Sequence, residues 1–206
     1  MTLVTGGDSG IGRSAQEDKD AKDTLEMLKK DKTSDAKDPM AVPADLGFDK
    51  NSKQVVDDIV KDYSRIDILV NNAAEQYESS VEACFEAHEG REFHYKHNIG
   101  ECILDYTATK GAIVAFTRGL SLQLVNKGIR VNGVAPGPIW TPLIPASFDK
   151  EETAQFGNDV PMKKADHPIE VAPCYVFLAC NVCSSYITGQ VLHLMAAKTL
   201  FGPWDL

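Results

Sequence analysis

The stretch Thr2-Leu3-Val4-Thr5-Gly6-Gly7-Asp8-Ser9-Gly10-Ile11-Gly12, residues 2–12, joins a short apolar segment to a glycine-rich loop. The apolar segment predicts a buried strand, and the glycines predict a tight turn that opens a helix. Glycine lets the backbone approach a phosphate closely, and a helix N-terminus offers unpaired N–H groups to a pyrophosphate. Alone, the stretch is better explained by a plain strand–helix turn, so its meaning depends on the other segments.

Strand-like and helix-like patterns alternate along the rest of the chain. Apolar runs predict strands at residues 40–44, 66–70, 129–135 and 189–194, and helical patterns cover residues 16–37, 55–63, 79–97, 107–126 and 168–179. This alternation predicts a three-layer α/β fold, with a parallel sheet covered by helices on both faces. Because no repeat or low-complexity linker interrupts it, we expect a single domain over residues 1–206.

The composition is that of an ordinary globular protein, with 206 residues of which 43% are hydrophobic and 25% charged. A net charge of -9 argues against nucleic acid and anionic membranes as partners. No apolar run is long enough to span a bilayer, and residues 1–6 enter a strand at once, so we expect no signal peptide and a cytoplasmic location. Cys180 and Cys183 form one CxxC, but no second ligand pair follows at zinc spacing, so we expect free thiols.

Tyr106 and Lys110 are four residues apart in a segment with a strong helical pattern. Positions i and i+4 share one face of a helix, so the two side chains point the same way. A free tyrosine titrates near pH ~10, and a nearby ammonium lowers that pKa toward the range in which acid–base catalysis is efficient. An isolated pair of this kind usually marks only a helix surface.

Four segments, taken together and in order, resemble the short-chain dehydrogenase/reductase family. They are the loop at residues 5–12, Asn-Asn-Ala-Ala at 71–74, the Tyr-x-x-x-Lys pair at 106–110 and Pro-Gly-Pro-Ile-Trp-Thr at 136–141. Segments 72–77, 141–145 and 185–190 look most like the plant glucose/ribitol dehydrogenase branch of that family. The resemblance implies a Rossmann-type doubly wound sheet, and an NAD- or NADP-dependent oxidoreductase acting on a secondary alcohol or carbonyl.

The resemblance also implies a role for each matching residue. Tyr106 would exchange a proton with a small-molecule substrate, expected to be a sugar, polyol or small aldehyde. Lys110 would lower the pKa of Tyr106 and bind the nicotinamide ribose, and Asn98 would anchor a proton-relay water. The expected cofactor contacts are Gly6, Asp8, Ser9, Gly10, Ile11, Gly12, Asp45, Asn71, Ala73, Lys110, Pro136, Gly137, Ile139 and Thr141.

Three further interpretations concern Asp45, a group of histidines and the oligomeric state. The resemblance places Asp45 beside the adenine ring, and the alternative is an ordinary aspartate at the end of a strand. We interpret His88, His94 and His97 as residues of a surface helix, and we expect no metal site. The resemblance further implies a homodimer or homotetramer formed through the helices around residues 84–98 and 107–126.

Two departures from the family pattern are large. No serine or threonine lies in residues 99–105, where the family carries a serine that polarises the substrate oxygen. The segment that reads the adenosine ribose is absent after Ala15. In a sheet of order 3-2-1-4-5-6, these losses remove strands 2 and 5, so we expect chain breaks near 15/16 and 99/100.

Three explanations of these gaps stay open. The sequence as written omits residues, or some side chains are misassigned, or the gene product carries true internal deletions. The last explanation favours a rival function, in which the chain is a non-catalytic nucleotide-binding or storage-type relative that lacks the catalytic serine.

Overall fold

A computed structural model describes residues 1–7, 18–73, 104–141, 144, 150–158 and 160–194. The chain forms two compact units, Met1–Glu75 and Gln76–Leu206. The helix predicted at residues 79–97 and the breaks predicted near 15/16 and 99/100 lie outside the described residues. Of the helices in the described part, none is long and apolar enough to cross a bilayer.

The first unit contains two helices and one pair of parallel strands. Its elements are β1 (Thr2–Val4), α1 (Asp18–Asp31), α2 (Asp49–Tyr63) and β2 (Ile68–Val70). Thr2 lies opposite Ile68 and Val4 opposite Val70. The helix predicted within residues 16–37 is confirmed as α1, and the helix predicted for residues 55–63 is confirmed as the longer α2.

The apolar face of α2 supplies the core of the first unit. Val55 and Ile59, four residues apart on that face, are buried. The helix ends at Ser64, which takes a left-handed conformation with φ 72° and donates its backbone N–H to the Val60 carbonyl at 2.8 Å. This ending turns the chain directly into β2.

The strand predicted for residues 40–44 is wrong, because these residues form no regular structure. A strand needs a hydrogen-bonded neighbour, since an unpaired row of backbone groups gains nothing from being extended. In the order 3-2-1-4, the neighbour of this segment would be strand 2, and the sequence lacks the residues that would form it.

Among its described residues, the second unit contains four α-helices, one short 3-10 helix (Val125–Lys127) and a second pair of parallel strands. The α-helices and strands are α3 (Leu104–Leu124), β3 (Gly133–Pro136), α4 (Lys150–Gln155), α5 (Pro168–Ala179), α6 (Asn181–Ser184) and β4 (Val191–Leu194). Gly133 pairs with Val191 and Pro136 with Leu194. The helices predicted for residues 107–126 and 168–179 are confirmed as α3 and α5.

The strand β3 begins later than the sequence predicted for residues 129–135. The preceding residues are held by side chains and by one backbone hydrogen bond, from the Gly189 N–H to the Val131 carbonyl at 2.7 Å, instead of a continuous strand ladder. The Val131 N–H donates to the Thr188 hydroxyl at 3.1 Å, and the Asn132 amide donates to the Ile187 carbonyl at 2.9 Å. Regular pairing therefore begins only at Gly133.

Candidate functional site

In the first unit, the loops after β1 and β2 are bonded to each other. The Thr5 hydroxyl accepts hydrogen bonds from the backbone N–H groups of Asn72 and Ala73, both at 3.0 Å. The Asn72 amide donates in return to the carbonyls of Thr5 at 3.2 Å and Gly6 at 2.9 Å. Both loops follow the carboxyl ends of parallel strands, which is where open α/β sheets bind ligands.

Gly6 brings the two loops closer than any other residue could. Its φ of +58° lies in the left-handed region, and a Cβ added there would lie 3.0 Å from the Cα of Ala73. The missing side chain lets the backbones of the two loops pack together at the carboxyl ends of β1 and β2, the edge of the sheet at which a cofactor phosphate or ribose would bind. Two predicted cofactor residues, Gly6 and Ala73, are therefore brought together.

Asp45 and Asn71 are both exposed in the first unit. One Asp45 carboxylate oxygen accepts the Gly47 N–H at 2.9 Å, and the Asp45 carbonyl accepts the Asn51 amide at 2.9 Å. These bonds form a local turn before α2, which agrees with the plainer interpretation of Asp45 and leaves its other carboxylate oxygen for a ligand. The predicted contacts at Asp8, Ser9, Gly10, Ile11, Gly12 and Asn98 lie outside the described residues.

In the second unit, α3 carries Tyr106 and Lys110 one turn apart, as the spacing predicted. The helical backbone puts these two positions on one face. The Lys110 side chain is half-buried and has a partner of its own.

The end of β3 and the loop that follows it carry the other predicted cofactor residues of the second unit. Pro136 is the last residue of β3, and Gly137, Ile139 and Thr141 lie in the loop. A single residue holds this loop from the opposite side. The Asp166 backbone N–H donates to the Pro138 carbonyl at 2.9 Å, and its carbonyl accepts the Trp140 N–H at 2.7 Å.

Ion pairs fix the segment that carries Asp166. The Lys164 ammonium lies 2.8 Å from the Glu170 carboxylate and 3.4 Å from that of Asp166. The hydrogen bond to Glu170, followed by that to Asp166, raises the pKa of Lys164. Lys164 and Glu170 are exposed and only Asp166 is partly buried, so these ion pairs orient the loop more than they stabilise the fold.

Thr141 has the one side-chain atom in the described residues that is buried without a hydrogen-bond partner. The residue is 3% exposed, and its hydroxyl oxygen bonds to nothing, although its carbonyl accepts the Ile144 N–H at 3.0 Å. Leaving a buried hydroxyl unpaired costs roughly 1–3 kcal/mol, so such groups in native proteins need a reason. A ligand amide would satisfy it, and Thr141 therefore fits the predicted nicotinamide site.

Two positioning residues, Thr5 and Asn72, were not among the predicted site residues. Both lie within segments that the sequence singled out, but their bonds connect positions more than 60 residues apart. A polar residue at the end of each apolar run was the only available signal.

The chain matches known protein families over nearly its whole length. Residues 1–93 match the family described as short chain dehydrogenase, and residues 92–195 match that described as Enoyl-(Acyl carrier protein) reductase. It is 55% identical to NADPH-dependent aldehyde reductase 1, chloroplastic, of Arabidopsis thaliana, covering 94% of this chain and 84% of that protein. It is 54% identical to glucose and ribitol dehydrogenase of Daucus carota, covering 94% and 82%.

The alignment to the Arabidopsis protein also measures what this chain lacks. It runs to 243 positions, whereas 94% of 206 residues is about 194, so about 49 positions have no counterpart inside the matched part of this chain. This agrees with the predicted absence of internal segments.

A solved structure shows the fold. The crystal structure of a short-chain type dehydrogenase/reductase from Mycobacterium marinum superposes with a TM-score of 0.75 at 17% identity, covering 96% of this chain and 94% of that one. The predicted Rossmann-type α/β fold is thereby confirmed. On the family matches and these identities, the chain belongs to the short-chain dehydrogenase/reductase family of oxidoreductases.

Proposed function

We propose that the chain interconverts a secondary alcohol and a carbonyl on a sugar, polyol or small aldehyde, with NAD or NADP as cofactor. The observation that carries this proposal is the placement of Tyr106 and Lys110 one turn apart on α3. The names of the two relatives, one an aldehyde reductase and one a glucose and ribitol dehydrogenase, support the same substrate classes.

In this proposal the chain's own residues carry out the proton transfer. Tyr106 gives a proton to the carbonyl oxygen during reduction and takes it back during oxidation. Lys110 favours the tyrosinate through its positive charge, since an opposite charge within a few ångströms stabilises the ionised form. Asn98 holds the water through which the proton reaches solvent.

The residues present fit a dinucleotide cofactor. Gly6 and Ala73 lie together at the carboxyl ends of β1 and β2, where a phosphate or ribose would bind, and the unpaired Thr141 hydroxyl can bond a carboxamide. When bound, the nicotinamide accepts or supplies the hydride. Asp8, Ser9, Gly10, Ile11, Gly12, Asp45, Asn71, Pro136, Gly137 and Ile139 complete the proposed binding set.

The test follows the reduced nicotinamide by its absorbance, using NADH and NADPH in turn with a panel of polyols and aldehydes. We expect turnover with at least one pair, and a fall of about 10²–10⁴-fold in kcat for Tyr106→Phe. Tyr186→Phe is the matched control, because Tyr186 is fully exposed and outside the proposed site, and it should keep full activity.

Two results would decide against the proposal. A Tyr106→Phe variant with unchanged kcat would remove the proton-transfer role. Absence of turnover, combined with no NAD(H) or NADP(H) binding by calorimetry, would leave the rival non-catalytic function in its place.

Assembly and location belong to the same proposal. A homodimer or homotetramer is expected, and sedimentation velocity measures it directly. A cytoplasmic location remains a prediction, whereas the name of the Arabidopsis relative assigns that protein to the chloroplast.

A further inference from the structure

Two cysteines meet in the turn that joins α5 to α6. Cys180 lies between the helices and Cys183 is the third residue of α6; the Cys183 backbone N–H donates to the Cys180 carbonyl at 3.2 Å. The ends of such a turn have Cα atoms within about 7 Å, and disulfides bridge Cα atoms about 4.4–6.8 Å apart. The backbone therefore already holds the pair at a separation suited to a disulfide.

A fixed positive charge lies beside this turn. The Arg130 guanidinium donates to the Leu178 carbonyl at 2.8 Å and to the Asn181 side-chain oxygen at 3.2 Å, so it contacts residues on both sides of Cys180. A third bond, to the Ile187 carbonyl at 3.3 Å, anchors it from the other side. A cation held next to a thiol favours the thiolate, which is the nucleophilic form.

The two thiols differ in acidity. The hydrogen bond from Cys183, then the backbone N–H groups of the turn and the charge of Arg130, lower the pKa of Cys180. The same hydrogen bond and the neighbouring Cys180 charge raise the pKa of Cys183. Cys183 is exposed and Cys180 is partly exposed, so both sulfurs can be reached from solvent.

We propose that Cys180 and Cys183 form a reversible dithiol–disulfide site that reacts with small disulfides, with Cys180 attacking and Cys183 resolving. The Cys180 thiolate attacks one sulfur of the external disulfide, forms a mixed disulfide and releases one thiolate, which takes up a proton. Cys183 then loses its proton and attacks the Cys180 sulfur, which releases the second thiol. The protein dithiol loses two electrons, and the external disulfide gains them.

The test uses the full, reduced chain with glutathione disulfide as the probe. Free thiols are blocked by alkylation after timed intervals, and chymotrypsin then releases Ala179–Tyr186, which contains these two cysteines and not Cys174. After oxidation we expect this peptide to carry no alkyl group and to be two hydrogen atoms lighter than the unalkylated dithiol peptide. Cys183→Ser should instead accumulate one glutathione on Cys180, whereas Cys180→Ser should react about tenfold more slowly. Cys174→Ser, the matched control from α5, should behave like the unaltered chain.

The unaltered chain in urea provides the second measurement, because it does not depend on any variant folding. Unfolding removes the Arg130 contacts and the turn, so we expect the internal disulfide to form about tenfold more slowly in urea. Equal rates in the native and unfolded chains would overturn the proposal. So would equal glutathione uptake by Cys180→Ser and Cys183→Ser, or a native chain that carries glutathione without an internal disulfide.

Discussion

At the residue scale, we expect the Thr141 hydroxyl to contribute to cofactor binding but not to the stability of the fold. Its buried hydroxyl has no partner, so Thr141→Val should leave the free energy of unfolding unchanged or raise it by about 1 kcal/mol. The same change should weaken cofactor binding about five- to tenfold, which is the effect expected from the loss of one hydrogen bond. Urea unfolding and calorimetry measure the two effects.

Ser121 offers a matched control for this prediction. It is also buried, at 4% exposed, but its hydroxyl donates to the Arg118 carbonyl at 2.7 Å. Ser121→Ala should therefore lower the free energy of unfolding by about 0.5–1.5 kcal/mol. A comparable loss of stability in Thr141→Val would contradict the idea that its hydroxyl is unpaired.

A second prediction at this scale concerns two adjacent glycines. Gly6→Ala should lower the free energy of unfolding by about 2 kcal/mol, because a left-handed residue with a Cβ costs roughly 1–2 kcal/mol and the added atom meets the Ala73 backbone at 3.0 Å. Gly7→Ala should change it far less, because its Cβ would lie 3.5 Å from a Val4 methyl, an ordinary contact. Equal effects in urea unfolding would refute this assignment.

At the element scale, Gly119 and Gly128 distinguish the effect of backbone conformation on stability from the effect of available space. Gly119 lies within α3, and Gly128 ends the 3-10 helix that follows α3. A Cβ on either Gly119 or Gly128 would meet nothing within 4 Å, but Gly128 has a φ of +72° whereas Gly119 lies inside α3. Gly119→Ala should stabilise the protein by about 0.5–1 kcal/mol. Gly128→Ala should destabilise it by about 1 kcal/mol. Thermal unfolding of the pair tests whether the signs are opposite.

The first turn of α5 makes stability depend on pH. The Glu170 carboxylate pairs with Lys164 and accepts the His167 backbone N–H at 2.9 Å. Both contacts lower the pKa of Glu170, and the contact with Lys164 has the larger effect. A lowered pKa contributes stability that is complete above the ordinary value, about 4.3, and is lost as the pH falls through the lower folded value. The Tm advantage over Glu170→Gln should therefore shrink below that pH.

A double-mutant cycle separates the ion pair from the helix cap. Glutamine can still accept the His167 N–H, so Glu170→Gln removes the charge and keeps the cap. In a Lys164→Met background, the same substitution should leave a smaller pH-dependent difference in Tm. An unchanged difference would show that the ion pair does not contribute.

At the scale of the whole molecule, the β1–β2 pair lacks the cover that parallel strands usually have. Val4 is 46% exposed and Leu69 54% exposed, although parallel strands are normally buried on both faces. We predict that inserting the corresponding segments of the Arabidopsis relative after Ala15 and after Ile99 raises Tm. It should also raise kcat by about 10²–10³-fold, because the family pattern has a serine donor in the second of these segments.

A control for that experiment replaces the restored serine by alanine. This version should keep the gain in Tm and lose the gain in kcat, since the strands return without the hydroxyl. Equal kcat for the chain as written and the restored chain would show that the missing segments are not needed for catalysis.

Much of this protein could be predicted from its sequence, because the relevant signals are local. Helices α2, α3 and α5 follow from apolar residues repeated at the spacing of one or two turns, which lie within a few residues of one another. The glycine-rich loop, the Asn-Asn-Ala-Ala segment and the Tyr106–Lys110 pair identified the family in the same way. The gaps near residues 15 and 99 were also visible as missing segments in a known order.

Only the tertiary structure decided which groups find partners. Residues 40–44 have the apolar pattern of a strand and form none, because a strand depends on a neighbour that local sequence does not reveal. The Thr5–Asn72 bonds, the unpaired Thr141 hydroxyl and the charge of Arg130 beside Cys180 also depend on distant segments. Periodicity determines which face of an element is apolar, whereas hydrogen bonds and charges act over a few ångströms, between atoms that only the folded chain brings together.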